Sequence, residues 1–215
     1  MRNTVRLGIS SAELGEALGL TWVLHRQSLA CRRWPRIGEP VRVVTLPTRI
    51  ERRLITHRDF YLLDAAGAVL ARSPSTWSVM HLESRRIRPI PDLVLERLGT
   101  LPAVPTLSHP ADKPDAPVNI QHRRATRVTF AQLDFNNHLT NPAFPELMLE
   151  PLGLPFLHDH LPRAADIVYH REARYDDALT AEAGADGTGL AWSHVLRRDD
   201  GQPLATMVSQ WSVRV

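Results

Sequence analysis

The chain has 215 residues, 43% of them hydrophobic, and its 26 basic and 23 acidic residues leave a net charge of +3. This length can bury one large core or two cores of about 100 residues each. A single cysteine, Cys31, excludes an intramolecular disulfide framework and a four-cysteine zinc site, so we expect a reducing compartment and a cytoplasmic protein. No apolar run approaches the roughly 20 residues of a membrane helix, and residues 1–20 lack the apolar core of a signal peptide, so we expect no membrane partner.

Arginines cluster in three short stretches, at residues 49–53, 84–88 and 122–127. Such basic patches favour an acidic partner. An acidic protein suits them better than nucleic acid, because no interleaved aromatic motif or recognition helix accompanies the charge. A solvated surface with an arginine bias is the alternative interpretation.

Two β-rich stretches, residues 64–79 and 198–213, share one pattern. In each, a turn glycine, Gly67 or Gly201, precedes a Trp-Ser-Val by the same ten positions. Asp/Gly turns between apolar, β-branched stretches are typical of hairpins. The chain is therefore predicted to hold two copies of one β-rich unit, with chance similarity of short strands as the alternative.

Upstream of these hairpins, the His-Arg pairs at residues 25–26 and 170–171 also correspond, which makes Gln27 the counterpart of Glu172. Glu172 is predicted to lie in a strand and to face inward with His170. An acid in one copy and a neutral amide in the other indicate that only the second copy holds the carboxylate. An exposed strand residue paired with Arg171 or Arg174 is the alternative.

Residues 96–118 carry five prolines and no apolar periodicity, which is typical of an extended linker. The linker separates an N-terminal half, residues 1–95, from a C-terminal half, residues 119–215. Ser10 and Glu13 have the spacing of a helix capping box in the first half. The order of helix and antiparallel strands predicts an α+β fold in which a curved sheet wraps around one central helix.

The stretch "QLDFNNHLTNP", residues 132–142, concentrates polar side chains directly before a predicted helix. If residues 133–138 are extended, Asp134, Asn136 and His138 face one way. These three side chains, together with Glu172, are our candidate catalytic residues.

The helix after this stretch is predicted to be capped by Asn141, to begin with Pro142 and to end at Gly153. Its first backbone N–H groups lack partners within the helix and carry the positive end of its dipole. We therefore expect them to be able to hold a developing oxyanion. Beyond the helix, His158 and His160 have a spacing that could bind a metal, but no third ligand is obvious and an exposed loop is the alternative.

An Asp, an Asn, a His and a Glu around a helix N-terminus, with no metal cluster and no nucleophilic serine motif, suit hydrolysis of an activated acyl group. A thioester releases a thiol of pKa about 8.5, so the enzyme must chiefly activate water and stabilise the oxyanion. The residues indicate a thioester hydrolase that needs no cofactor and no metal.

At these residues the chain resembles the acyl-acyl carrier protein thioesterases of plants and bacteria, which are tandem hotdog proteins. The pattern Asp134, Asn136, His138 and Asn141 is similar to the family's catalytic segment, and the family's acid one strand later falls on Glu172. The resemblance implies a double hotdog, two antiparallel sheets each wrapped around a central helix. It also implies hydrolysis of fatty acyl thioesters to free fatty acid and carrier thiol, which terminates fatty acid synthesis.

The resemblance further implies that the first half shapes the acyl pocket, that the second half hydrolyses, and that the arginine patches meet the acidic carrier protein. On the basis of this resemblance we assign Asp134 and Glu172 to ordering and deprotonating water. We assign Asn136 to orienting the thioester carbonyl, and His138 to proton transfer or orientation. Carrier protein and coenzyme A thioesters are both open as substrates.

Two departures from the family bear on this assignment. Plant members usually have Cys after the glutamate, where this chain has Ala173, so a cysteine nucleophile does not carry over. The chain is also predicted to begin late in the first hotdog helix. Either the start codon is misassigned, or the first half is truncated and is completed by another chain, as in a homodimer. A non-catalytic acyl- or carrier-binding hotdog protein and a hotdog dehydratase or hydratase are the competing interpretations.

Overall fold

The structure of the chain is a computed structural model that describes residues 2–214. It divides into two compact units, an N-terminal unit of residues up to 27 and 32–109, and a C-terminal unit of residues 28–31 and those from 110 onward. Within residues 2–214, none of the helices is long and apolar enough to cross a membrane.

The N-terminal unit is an antiparallel sheet with short helices at each end of its sequence. Strands β2, β3, β4 and β1 lie side by side in that order, and β5 pairs with β4. Its elements are α1 (Arg2–Arg6), α2 (Ser11–Leu18), β1 (Leu20–Cys31, whose last four residues belong to the C-terminal unit), β2 (Val41–Glu51), β3 (Ile55–Asp64), β4 (Val69–His81), β5 (Ile87–Arg88) and α3 (Asp92–Leu98).

Helix α2 begins at the predicted capping box. The Glu13 backbone N–H donates to Ser10 Oγ at 3.4 Å, and the Ser10 backbone N–H donates to Glu13 Oε2 at 2.9 Å. These two bonds satisfy amides at the helix start that have no partner within the helix. On the inner face, Leu14 is buried in one apolar cluster with Leu20 of β1 and Val79 of β4, so the helix packs on the sheet.

Within the described residues the C-terminal unit also has five strands, and four of them follow the plan of the N-terminal unit. Strands β7, β10, β9, β8 and β6 lie side by side in that order, and Phe144, Leu147 and Met148 of α4 are buried against the sheet. Its elements are β6 (His122–Arg127), a 3-10 turn (Phe130–Gln132), α4 (Ala143–Leu149), a second 3-10 turn (Glu150–Leu152), α5 (Gly153–Asp159), β7 (His160–Tyr169), β8 (Ala178–Ala185), β9 (Ala191–Arg198) and β10 (Pro203–Val213). The predicted α+β class is confirmed.

The predicted repeat is confirmed by matching strand order and matching side-chain contacts. The order β2-β3-β4-β1 of the first unit reappears as β8-β9-β10-β7 in the second. In the first unit Trp77 Nε1 donates to Ser75 Oγ at 2.7 Å, and in the second Trp211 Nε1 donates to Ser209 Oγ at 2.8 Å. Each indole therefore bonds the serine two residues before it on the corresponding strand.

The predicted equivalence of the two His-Arg pairs is wrong. The Leu70 carbonyl accepts from the N–H groups of Arg32 and Arg33 at 2.8 and 3.4 Å, and the corresponding Leu204 carbonyl accepts from those of His170 and Arg171 at 2.8 and 3.1 Å. Residues 32–33, and not 25–26, are therefore the counterparts of residues 170–171.

The counterpart of Glu172 is accordingly Trp34, and not Gln27. Gln27 lies inside β1, where its side-chain amide donates to Ser73 Oγ at 3.1 Å. The N-terminal unit still has no carboxylate at the position of Glu172, although for a different residue than the sequence indicated.

The proline-rich segment is partly attached to the N-terminal unit. Residues 99–121 contain no helix or strand, whereas the first three residues predicted as linker, 96–98, are the end of α3. The Leu107 N–H donates to Asp59 Oδ2 at 2.8 Å. Burial raises the pKa of Asp59, whose side chain is fully buried.

A buried hydrogen-bond chain connects α4 to the sheet in the C-terminal unit. His194 Nε2 lies 2.8 Å from Ser209 Oγ, and its Nδ1 lies 3.0 Å from the carbonyl oxygen of Met148 in α4. With Nδ1–H donating to that carbonyl, Nε2 accepts from the Ser209 hydroxyl, which itself accepts from Trp211. His194 is neutral in this arrangement, and burial lowers its pKa from 6.5 to about 4.

This buried histidine predicts a loss of stability in mild acid. Below pH 6.5 the unfolded chain binds a proton at His194 that the folded chain does not, until the pH approaches 4. The stabilisation of the folded state by neutral His194 is fully present above pH 6.5. As the pH falls from 6.5 to 4, the free energy of unfolding decreases by up to about 3 kcal/mol. Urea unfolding of wild type and His194→Gln between pH 7 and 4 measures it.

The His194→Gln variant is expected to show a shallower pH slope than wild type in this window. His158→Gln is the matched control, since the His158 side chain is 78% exposed, and it should keep the wild-type slope. An unchanged slope in His194→Gln would contradict the account.

Candidate active site

The candidate catalytic stretch is a tight turn, and the prediction of an extended strand over residues 133–138 is wrong. The Asp134 N–H donates to the carbonyl of His138 at 2.8 Å, and Asn137 has a left-handed φ of 59°. Asparagine tolerates this conformation better than most residues, because its short side chain bonds locally. Leu133 and Leu139 pair as an antiparallel bridge at the base of the turn.

The Asp134 side chain holds the turn together. Its Oδ1 accepts the backbone N–H groups of Asn136 at 2.9 Å and of His138 at 3.1 Å. Exposure still alternates, because Asp134, Asn136 and His138 are half-buried while Phe135 and Asn137 are exposed. The predicted grouping of the three polar residues therefore arises in a turn and not in a strand.

The turn is hydrogen-bonded to the connection between β7 and β8. The Leu139 N–H donates to the Ala173 carbonyl at 2.8 Å, and His138 forms an antiparallel bridge with Arg174. Ala173 is fully buried. This pairing brings the residue before Ala173 beside the histidine of the turn.

That residue is Glu172, and its Oε2 lies 3.3 Å from His138 Nε2. The His138 side chain is 16% exposed and that of Glu172 is 36% exposed, so the pair is sheltered but open to solvent. The Glu172 backbone is fixed separately, since Arg198 Nη2 donates to its carbonyl at 2.7 Å. A carboxylate beside an imidazole at this distance can receive, hold and pass on a proton.

Two details predicted for Glu172 are wrong. Strand β7 ends at Tyr169, so Glu172 lies in the following connection. His170 is exposed and does not face inward with it. Its ring is nevertheless partly desolvated, since Nε2 lies 3.0 Å from Thr206 Oγ1. This desolvation, together with the charges of Arg171 and Lys113, lowers the pKa of His170.

The N-terminus of α4 does not supply the predicted oxyanion donors. The Ala143 N–H donates to the Thr140 carbonyl at 2.9 Å and the Phe144 N–H to the Asn141 carbonyl at 3.3 Å. The next residue is Pro145, which has no N–H. The helix begins after Pro142, and no side chain bonds its first amides, so the prediction of an Asn141 cap is also wrong.

The side chain of Asn136, already expected to orient the carbonyl, is the candidate donor that is left. Within the described residues its amide group has no hydrogen-bond partner, although its backbone N–H is held by Asp134. A primary amide fixed by its backbone and open at its side chain can donate to a carbonyl oxygen or an oxyanion.

The two histidines considered for a metal do not lie in an exposed loop. Helix α5 begins at Gly153 and ends at Asp159, and β7 starts at His160 directly afterwards. His158 pairs with Asp159 at 2.8 Å, while His160 stacks on Phe156 with ring centroids 4.1 Å apart. Residues 2–214 contain no group of three or more His, Cys, Asp or Glu side chains placed to hold a metal ion.

Sequence reasoning missed the residues that fix the backbone around Glu172. Arg198 bonds the Glu172 carbonyl, and Asp177 Oδ2 accepts the Arg174 N–H at 2.9 Å and lies 3.5 Å from Arg198. All three belong to charged runs, Arg174 with Asp176 and Asp177, Arg198 with Asp199 and Asp200, that look like solvated turns. What distinguishes them from ordinary surface charges is the bond from Arg198 to the Glu172 carbonyl, which joins segments distant in sequence.

Comparison with known proteins gives consistent results over both units. Residues 1–98 match the family model "Acyl-ACP thioesterase N-terminal domain", and residues 116–213 match "Acyl-ACP thioesterase C-terminal domain". An oleoyl-acyl carrier protein thioesterase of Coriandrum sativum is 29% identical over 182 residues, which are 80% of this chain and 49% of that protein. The chain thus spans about half the length of the curated relatives it matches.

Two solved structures share the fold of this chain. An acyl-ACP thioesterase from Bacteroides thetaiotaomicron superposes with a TM-score of 0.82 at 18% identity, covering 98% of this chain and 84% of that one. A 12:0-ACP thioesterase from Umbellularia californica gives 0.81 at 20% identity, covering 99% and 85%. The predicted double hotdog is confirmed by these neighbours.

Two substitutions of Asp134 separate the effect of its acceptor oxygen on the turn from the effect of its charge. Asp134→Ala removes the acceptor of two backbone N–H groups and is expected to lower the free energy of unfolding by about 1 kcal/mol, as loss of a helix cap does. Asp134→Asn keeps one side-chain oxygen and should cost clearly less. Urea denaturation measures both.

Asp115→Ala is the control, because Asp115 is exposed and has no hydrogen-bond partner in the described part of the chain. Equal destabilisation by the Asn and Ala variants of Asp134 would show that the turn does not depend on these bonds.

Proposed function

Because the chain belongs to the acyl-ACP thioesterase family, we propose that it hydrolyses fatty acyl thioesters of acyl carrier protein to free fatty acid and carrier thiol, terminating fatty acid synthesis. The observation that carries the proposal is the contact of 3.3 Å between His138 and Glu172 in the C-terminal unit. Two titratable groups in contact, beside an open amide donor, are the parts that hydrolysis of a thioester requires.

In the proposed reaction, water is the nucleophile. Its oxygen bonds to the thioester carbonyl carbon while its proton passes to the Glu172 carboxylate, which His138 orients. The tetrahedral oxyanion accepts a hydrogen bond from the Asn136 amide. Its collapse breaks the carbon–sulfur bond, and the carrier thiolate takes up the proton, which restores Glu172 and leaves the free fatty acid.

Water suits this site because the residue after Glu172 carries no nucleophile. Ala173 has only a methyl group and is fully buried. A thiol of pKa about 8.5 is a good enough leaving group that a single base suffices. The proposal therefore requires no covalent acyl-enzyme intermediate.

We assign Asp134 a positioning role. One of its oxygens already accepts two backbone N–H groups of the turn, so its main effect is on where Asn136 and His138 stand. The role is narrower than the one expected from the sequence, which assigned both Asp134 and Glu172 to ordering and deprotonating water.

The proposed carrier is acidic, which suits the arginines that the sequence concentrates at residues 49–53, 84–88 and 122–127. Coenzyme A thioesters are the alternative substrate. A cytoplasmic location, inferred from the single Cys31, and pairing with a second copy of the chain stay predictions.

Thiol release tests the proposal. Wild type is expected to release thiol from acyl carrier protein or acyl-coenzyme A thioesters, and Glu172→Gln should lower kcat/KM by about 100-fold or more, because the amide cannot accept the proton of water. Titration of the thiol with a chromogenic disulfide follows both reactions across a panel of chain lengths.

The matched control is Glu150→Gln, which makes the same change of charge at an exposed position of the same unit. It should retain wild-type activity. Full activity of Glu172→Gln would refute the role assigned to Glu172. No release of thiol from any substrate by folded wild type would refute the proposed function and favour a non-catalytic binding protein.

A further inference from the structure

Three aromatic side chains stand exposed on the C-terminal unit. Phe130 is 81% exposed, Phe135 is 59% exposed and Tyr175 is 64% exposed. They are the only aromatic residues among the exposed large hydrophobic side chains of the described part of the chain. Exposed aromatic residues that lie together mark surfaces that bind another molecule.

Backbone hydrogen bonds bring the segments that carry these three residues together. The Leu133 N–H donates to the Phe130 carbonyl at 3.2 Å, which joins the first segment to the turn that holds Phe135. The Asp176 N–H donates to the Val128 carbonyl at 3.0 Å, which joins the segment of Tyr175 to that of Phe130. We call Phe130, Phe135 and Tyr175 the aromatic rim.

The aromatic rim borders the candidate active site. Phe135 lies between Asp134 and Asn136, and Tyr175 follows the residue that bridges to His138. A molecule that covers the rim would therefore lie next to the contact between His138 and Glu172.

Among the residues that the structure describes, arginines without an acidic partner occur in the segments that carry the rim or lead into them. Arg171 and Arg174 flank Glu172 in the sequence, and Arg124 lies on the edge strand β6. All three are exposed, and within residues 2–214 no acidic side chain pairs with their guanidinium groups. Arg127, by contrast, is neutralised by Asp176 at 3.2 Å. These segments therefore combine exposed aromatic side chains with exposed arginines that are unpaired within the described residues, and we call these arginines the cationic border of the rim.

We propose that the aromatic rim, with Arg171 and Arg174, is the surface on which the acidic carrier protein docks when it delivers its acyl thioester. This inference rests on the proposed function and names the contact that its substrate makes outside the active site. An apolar centre within a charged border is the usual composition of a protein interface. The cationic border is complementary to an acidic carrier, and its position beside Glu172 lets the tethered thioester reach the site.

The test compares two substrates that share an acyl chain. One is the acyl carrier protein, and the other is the acyl thioester of N-acetylcysteamine, which has no carrier to dock. The double variant Phe130→Ser/Tyr175→Ser is expected to raise KM for the acyl carrier protein at least about tenfold, as loss of interface aromatics does. Its kcat/KM for the small thioester should stay at the wild-type value.

Leu154→Ser is the control, because Leu154 is 78% exposed on α5 and does not belong to the rim. It should behave as wild type on both substrates. Arg171→Gln/Arg174→Gln should weaken the salt dependence of KM more for the carrier substrate than for the small substrate.

Three results would overturn the proposal. These are an equal loss on both substrates, no loss on either, and a change from dimer to monomer in the rim variant with unchanged kinetics, which would make the rim a contact between two copies of the chain. If wild type cleaves neither substrate, the proposed function fails, and calorimetric titration with carrier protein bearing its prosthetic thiol decides about docking alone. Binding that the rim variant weakens supports docking, and binding that is absent or unchanged overturns it.

Discussion

The candidate active site depends on one backbone hydrogen bond. The Leu139 N–H donates to the Ala173 carbonyl at 2.8 Å, and this bond fixes the distance between two segments of the chain. One segment is the Asp134 turn, which carries His138, and the other is the connection after β7, which carries Glu172. Because Ala173 is fully buried, the bond is protected from competing water. The contact between His138 and Glu172 is thus a consequence of backbone pairing and does not depend on the weak attraction of the two side chains alone.

The two units show how one β-rich plan can serve different purposes. Leu70 and Leu204 accept the same pair of backbone bonds in the two copies, and both indole groups bond the serine two residues earlier. Beyond the strand, however, the first unit has Trp34 where the second has Glu172. The backbone plan of both sheets is conserved within the chain, while the carboxylate that the proposed chemistry needs is present in one copy.

Local patterns in the sequence were enough to predict the repeat, its hairpins at Gly67 and Gly201, the capping box and the α+β class. They also placed Asp134, Asn136 and His138 in one extended segment, which the structure shows to be a turn. Polar residues at every second position are compatible with a strand, and equally with a turn in which an aspartate accepts hydrogen bonds from backbone N–H groups. Which one forms depends on bonds to residues 173–174, and the same holds for the true counterpart of Glu172. Such pairing lies outside any local pattern.

A double-mutant cycle on His138 and Glu172 tests the central claim that they act as one unit. Wild type, His138→Gln, Glu172→Gln and the double variant are compared by kcat/KM for thiol release from the preferred acyl thioester. The account predicts that the double variant loses about as much activity as Glu172→Gln alone, because residues that work together are strongly non-additive. Losses that simply multiply would show that the two side chains act independently and would contradict it.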